Sequence, residues 1–254
     1  MEEIYAFILA TLLIYNNSLV VLGPTAWGTG LGPRRSYAVA VAGQLLGVAT
    51  STMRPIHMGT AEFLYISFLY VAISAAKISL PISVAGYAIS SLSPGAAAIW
   101  LTSPATSAAT YALCRTRSIA KLAAPSLLLV MYMFGYNNVA LFNLNPALTA
   151  AAVLIGTYLG LGYSRWVVDI AALRPRTAAS INLTASLGAL LGTLANVPIS
   201  FTLVAYSSML VSAYTSNVRI IRARKFVKAY AGILIALLAA SIFPYLKSLP
   251  LPHL

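Results

Sequence analysis

Ten apolar stretches follow one another along this chain, separated by short polar or basic connections. They run at about 4–24, 36–53, 60–76, 79–93, 95–113, 122–140, 146–163, 178–195, 197–214 and 229–246. In a bilayer such stretches must be helices, because each backbone N–H and C=O needs a partner within the protein. A full crossing takes about 20 residues. Several of the ten are shorter, which predicts half-helices or re-entrant segments. Two of the runs carry the same polar interruption. Asn16 and Asn17 follow a tyrosine in "YNNSLVVLGP", Tyr15 to Pro24, and Asn137 and Asn138 do so in "GYNNVALFNLNP", Gly135 to Pro146. A buried amide without a partner is costly in an apolar medium, so each pair must face protein or a wet cavity.

Composition narrows the class. Of 254 residues, 60% are hydrophobic and 8% charged, against about 25% charged in a typical soluble domain. Four acidic residues cannot solvate a soluble surface of this size. The expected class is all-α: a polytopic membrane helical bundle. The first apolar run follows Met1-Glu2-Glu3 without a basic leader or a small-residue cleavage site, so it is read as structure. A single cysteine, Cys114, excludes an intrachain disulfide and a cysteine metal cage.

The net charge of +12 points to nucleic acid only until its placement is read. The odd connections (after segments 1, 3, 5, 7 and 9) hold Arg34 and Arg35; Lys77; Arg115, Arg117 and Lys121; Arg165, Arg174 and Arg176; and Arg219, Arg222, Arg224, Lys225 and Lys228. The even side holds only Arg54 and Lys247. Fourteen against two is a strong positive-inside bias. It predicts a multi-pass protein of the cell membrane with basic connections in the cytoplasm and both termini outside. Topology and anionic lipid headgroups account for the charge, and no nucleic acid is required.

An internal repeat emerges from the same reading. The Asn pair of Asn16 and Asn17 recurs at Asn137 and Asn138, "GQLLG" (Gly43–Gly47) as "GTYLG" (Gly156–Gly160), and "LPIS" (Leu80–Ser83) as "VPIS" (Val197–Ser200). Each half has five segments, and an odd number inserts the second half upside down. The expectation is two inverted-topology repeats, 1–121 and 122–254, a common plan of secondary transporters. The pairs Gly43/Gly47, Gly156/Gly160 and Gly188/Gly192 suit close helix approach. Proline opens a helix ladder, and the helix that follows presents free N–H groups and a positive dipole end. With the hydroxyls of Ser83, Ser200 and Thr202 and the amides of Asn16, Asn17, Asn137 and Asn138, such breaks suit an oxyanion. The bland alternative for the amides is interhelical glue.

Enzyme chemistries lack their residues. Histidine occurs only at His57 and His253, Asp169 is the sole aspartate, and there is no GxSxG, HExxH or acidic cluster for Mg²⁺. A Ser–Lys dyad of Ser79 and Lys77 is weaker than reading Lys77 as a topology anchor.

These landmarks resemble the inorganic phosphate transporter (PiT) family with its sulfate-permease relatives. That family has two inverted halves, each with a G-A-N-D-x-A-N-type and a later P-V-S-T-T-type signature. Tyr15–Pro24 and Gly135–Pro146 stand in the first place, and "LPISVAGYAISS" (Leu80–Ser91) and "VPISFTLVAYSS" (Val197–Ser208) in the second. The resemblance implies transport of inorganic phosphate by alternating access, symport with Na⁺ or H⁺, and a homodimer. By correspondence Asn16, Asn17, Asn137 and Asn138 line the site, and Ser83, Ser200 and Thr202 match its hydroxyl positions. One departure matters: the family's aspartate is Asn17 in one half and Asn138 in the other. An amide oxygen at Asn17 or Asn138 is a candidate Na⁺ ligand that neutralises no charge. Sulfate or another oxyanion is the alternative substrate, and a non-transporting membrane component the alternative role. Glu62, the only acid inside an expected span, is expected to pair with Arg54 or His57 rather than to couple an ion.

Overall fold

The computed structural model describes residues 1–165, 174–216 and 223–248. Asp169, Arg219, Arg222 and His253 lie outside the described residues. Every regular element among the described residues is helical. Helix α1 (Glu2–Val21) runs into the short α2 (Gly23–Gly28), and α3 (Gly32–Thr50) follows. Next come α4 (Thr60–Ala75) and α5 (Ile82–Ser91). The expected fifth segment is broken into α6 (Pro94–Thr102), a 3₁₀ stretch Ser103–Ser107 and α7 (Ala108–Arg115). The break falls where Pro104 removes a backbone donor. After a 3₁₀ turn at Arg117–Leu122, α8 (Ala123–Phe134) passes into a π-helical turn, Gly135–Val139, and a 3₁₀ turn, Ala140–Phe142. Helices α9 (Pro146–Tyr163), α10 (Pro175–Leu194), α11 (Phe201–Thr215) and α12 (Ala223–Ser248) complete the chain.

Among the described residues, five helical units are long and apolar enough to cross a membrane: Glu2–Gly28, Arg117–Phe142, Pro146–Tyr163, Pro175–Leu194 and Arg224–Ser248. The chain is a polytopic helical membrane protein. Its outward side chains include Leu64, Phe68, Val71, Leu154, Tyr158 and Leu238, large apolar groups suited to lipid, while Leu9, Leu13, Ile14, Trp100, Phe134 and Phe201 fill the interior.

Two glycine pairs lie at close helix contacts. Along α3, a Cβ on Gly43 would sit 2.8 Å from the Leu128 carbonyl oxygen, and one on Gly47 would run into that of Tyr132. Along α9, Gly156 and Gly160 leave room for Ile14 and Ser18 of α1. Small residues thus let these helix pairs approach backbone to backbone, as the spacing predicts. The third pair differs: Gly192 meets Ile199 and the Val197 carbonyl, whereas Gly188 has only ordinary contacts, the nearest at 3.4 Å.

Two hairpins carry the Pro-Ile-Ser motifs. Helix α4 ends in a left-handed residue, Lys77 (φ 57°), the chain extends through residues 78–81, and α5 returns. The return brings Gly86 beside Ile56, Met58 and Ile66, near the start of α4. Helix α10 ends in the same way at Asn196 (φ 53°), residues 197–200 extend, and α11 returns until Thr215 shares a cavity wall with Arg176 of the first turn of α10. The hairpin tips point to opposite ends of the bundle. Lys77 lies by Lys225 and Lys228, whereas the Asn196 Oδ1 accepts from the Arg54 backbone N–H at 3.5 Å. The first end also gathers Arg115, Arg117 and Arg176. Glu2, Glu3 and His57 share the other end.

Candidate functional site

The second asparagine pair lies in the π-helical turn of residues 135–139. A π turn leaves the regular i→i−4 ladder and is a frequent feature of functional sites. Here both side chains reach elements far away in sequence. Asn137 Nδ2 donates to Thr193 Oγ1 (3.0 Å) and to the Val197 carbonyl (3.2 Å), and its Oδ1 accepts from the Ile199 backbone N–H (2.9 Å). Asn138 Nδ2 donates to Ser83 Oγ (2.5 Å) and to the Ile199 carbonyl (2.9 Å). Both residues are fully enclosed, at 0% and 1% exposure.

The first pair lies in regular α-helix. Asn16 Nδ2 donates to Ser79 Oγ (2.9 Å) and the Leu80 carbonyl (3.3 Å). Asn17 Nδ2 turns back onto the Leu13 carbonyl (3.0 Å), and its Oδ1 accepts from Thr202 Oγ1 (3.2 Å). In each pair, then, the first asparagine holds the extended loop of its own half, and the second bonds a hydroxyl from the other half.

One amide joins the two hairpins. Ser83 is the second residue of α5 and Ile199 immediately precedes Ser200, the N-cap of α11. Asn138 therefore brings the starts of both returning helices to one point. Thr202, in the first turn of α11, extends the cluster to Asn17. Helix starts present N–H groups without intrahelical partners and a positive dipole end. The cluster is rich in donors and, among the described residues, holds no carboxylate. Asn138 Oδ1 is a buried acceptor without a hydrogen-bond partner in the described structure, as are the amide oxygens of Gln44 and Asn182.

A cavity of about 400 Å³ reaches this cluster from the basic end. Its wall includes Tyr15, Asn16, Ser79, Thr202, Tyr206 and the lysines 77, 225 and 228. Asn16 and Thr202 thus touch open space, while Asn137, Asn138 and Ser83 are enclosed behind them.

The structure brings Asn16, Asn17, Ser83, Asn137, Asn138 and Thr202 into one hydrogen-bonded neighbourhood. Ser200 plays a different part: its Oγ accepts from the Leu203 backbone N–H at 3.3 Å and caps α11. The register of the motifs also differs from the sequence alignment. Pro81 is the N-cap of α5, whereas Ser200 is the N-cap of α11. Counted from the helix starts, Ser83 matches Thr202, and the Pro-Ile-Ser triplets are displaced by two residues. A repeated triplet fixes the presence of a break, not the residue at which the next helix begins. Glu62 pairs with Lys247 Nζ at 3.0 Å, and His57 lies 3.9 Å from Glu2 instead. Sequence reasoning missed Ser79, Lys225 and Lys228 as neighbours of the asparagines. The lysines were legible only as topology charges, and Ser79 only as half of a discounted dyad.

No protein-family model matches this chain, and no curated protein sequence does. A solved structure titled "The sodium-dependent phosphate transporter" is similar to it, with a TM-score of 0.67 and 10% sequence identity, over 97% of this chain and 99% of that one. The two share a fold along their whole lengths.

Proposed function

We propose that this protein carries inorganic phosphate across a membrane by alternating access, at a site built from Asn16, Asn17, Ser83, Asn137, Asn138 and Thr202. The observation that carries the reading is the Asn138 amide, bonded at once to Ser83 Oγ and the Ile199 carbonyl. It brings together the starts of two returning helices, from hairpins whose tips point to opposite ends of the bundle. Discontinuous helices meeting in this way are a recurring plan of transporter sites, with helix starts directed at anionic groups. The shared fold with a structure titled as a phosphate transporter and the resemblance of the motifs support the same substrate class.

Amide and hydroxyl donors would hold the phosphate oxygens, and the dipole ends of α5 and α11 would stabilise the charge. Ser200 contributes by fixing the start of α11. Rocking of one hairpin against the other would open the site to each end in turn. The halves, 1–121 and 122–254, act as inverted repeats in this scheme. Its support is the matched bonding of the two pairs: own loop for the first asparagine, opposite hydroxyl for the second. The basic end faces the cytoplasm, in accord with the positive-inside rule.

Na⁺ or H⁺ would be the coupling ion. Asn138 Oδ1 fits a cation ligand, being a buried oxygen without a donor, but it supplies no charge. Backbone carbonyls would have to complete the shell. A second reading, sulfate transport, is favoured by the absence of a carboxylate from the described cluster, because sulfate has no proton to give to one. Uptake of labelled phosphate and sulfate into proteoliposomes, with and without Na⁺ or pH gradients, tests both. Phosphate uptake that sulfate does not suppress is expected. Uptake of neither anion under any gradient overturns the transporter reading in favour of a non-transporting membrane component.

A further inference from the structure

Three lysines converge on the cavity at the basic end, and topology alone does not require that arrangement. Positive-inside charge is satisfied by lysines anywhere on the loops. Here Lys77, Lys225 and Lys228 line a space that ends on Asn16, Ser79 and Thr202. We infer that this cavity is a staging site for a tetrahedral oxyanion, one step outside the enclosed asparagines. The inference rests on the proposed transport reading and adds a distinct place where the anion first binds.

Three observations carry it. The cavity, about 400 Å³, has room for an oxyanion with several waters at about 30 Å³ each. Its described wall has ammonium, hydroxyl and amide groups and no carboxylate; Glu2, Glu3 and Glu62 lie at the opposite end. The hairpin tip itself bears charge. Lys77 occupies a left-handed position (φ 57°), a conformation that asparagine or glycine adopts more easily. The corresponding tip residue of the other hairpin is Asn196 (φ 53°). Lys228 Nζ donates to the Ala76 carbonyl at 3.0 Å, tying the tip to α12 and keeping two N–H donors for another partner. An anion held by Lys77 and Lys228 therefore contacts the hairpin proposed to move. A low-dielectric cleft lined by one sign of charge concentrates the opposite ion at its mouth.

The test uses one thiol in the cavity wall, Ser74→Cys, with Cys114→Ser to remove the native cysteine. Modification rates are measured with an anionic and a cationic thiosulfonate of similar size, in the purified full-length protein. The anionic reagent is expected to react about tenfold faster. Phosphate, but not chloride at equal ionic strength, is expected to slow it. Lys77→Gln with Lys228→Gln should bring the two rates together, while Lys77→Arg with Lys228→Arg should keep the preference. Lys77→Gln alone, at the exposed tip, serves if the double change does not fold, and should narrow the ratio. Equal rates in the parent, or an anionic preference that phosphate leaves unchanged, overturn the staging site. Uptake by the unmodified protein separates the two claims. Phosphate protection without uptake keeps the cavity and removes the transport reading; uptake without protection removes the cavity alone.

Discussion

Asn16 and Asn17 sit in unbroken helix, and Asn137 and Asn138 sit in a π-helical turn. That local difference sets how each pair is used. In regular helix, Asn17 spends its N–H on the Leu13 carbonyl one turn back. In the π turn, both amides reach across to distant elements, and Asn138 spans the starts of two helices. The surroundings differ in the same sense. Asn16 borders a cavity ringed by lysines, while Asn137 and Asn138 are sealed among apolar neighbours and bonded carbonyls. The lesson is that like residues at like places need not be in like states. Of the four asparagines, Asn16 borders the cavity at the basic end, and Asn17, Asn137 and Asn138 are buried.

The largest effect is expected from Asn138→Leu. It leaves Ser83 Oγ and the Ile199 carbonyl without their donor, at about 1–3 kcal/mol for each buried group. With about 1.4 kcal/mol per factor of ten, phosphate uptake should fall by about 30-fold or more. Asn16→Leu, beside a wet cavity where water can replace the amide, should cost about tenfold. Equal losses for the two would remove the distinction between the sealed Asn138 and the cavity-lining Asn16.

Next comes the packing of the first loop. A Cβ on Gly232 would run into the Ser79 carbonyl, whereas one on Gly162 meets nothing within 4 Å. Gly232→Val should lower stability by about 1–3 kcal/mol, read as a lower thermal unfolding temperature in detergent, and Gly162→Ala should leave it unchanged.

Asn138→Asp restores a charge at the sealed position. A buried carboxylate requires a counter-charge, so uptake without Na⁺ should fall about tenfold and Na⁺ dependence should steepen. Asn17→Asp, nearer the lysine cavity, should show a smaller change. A cation dependence identical to that of the parent refutes this account of the missing carboxylate.

Removing single hydroxyls should do less. Ser83→Ala and Thr202→Val each delete one hydrogen bond worth about 0.5–1.5 kcal/mol, so KM for phosphate should rise by only a few-fold in each. The smallest effect belongs to Glu62→Gln. Glu62 is largely buried and its partner Lys247 is 60% exposed, and the pair lies by Gly59 at the end opposite the lysine cavity. Uptake and its cation dependence should stay within error, and a lost dependence would assign Glu62 a coupling role.

Much of the fold was legible in local pattern. The ten apolar runs each have a helical counterpart, and the glycine pairs on α3 and α9 mark the two close helix contacts, because hydropathy and four-residue spacing act within one helix turn or one span. The breaks at Pro81 and Pro198 were legible as breaks. Their register was not, because a helix starts where a cap is satisfied: Ser200 does this for α11 through the Leu203 N–H, two residues beyond the proline, whereas in α5 the proline itself holds the N-cap. Nor was the partner of Glu62 legible. Arg54 and His57 are near it in sequence, but α12 runs back alongside α4 and delivers Lys247.

By itself, the sequence determined the membrane class, the number of helical runs, the placement of charge at the connections and the two interrupted places where amides must find partners. The tertiary structure alone decided which partners they find. Asn138 meets Ser83 and Ile199, 55 and 61 residues away, and Asn17 meets Thr202 at a separation of 185. The physical reason is that an amide's need for a hydrogen bond is a property of the residue, while the group that satisfies it is set by how distant helices pack.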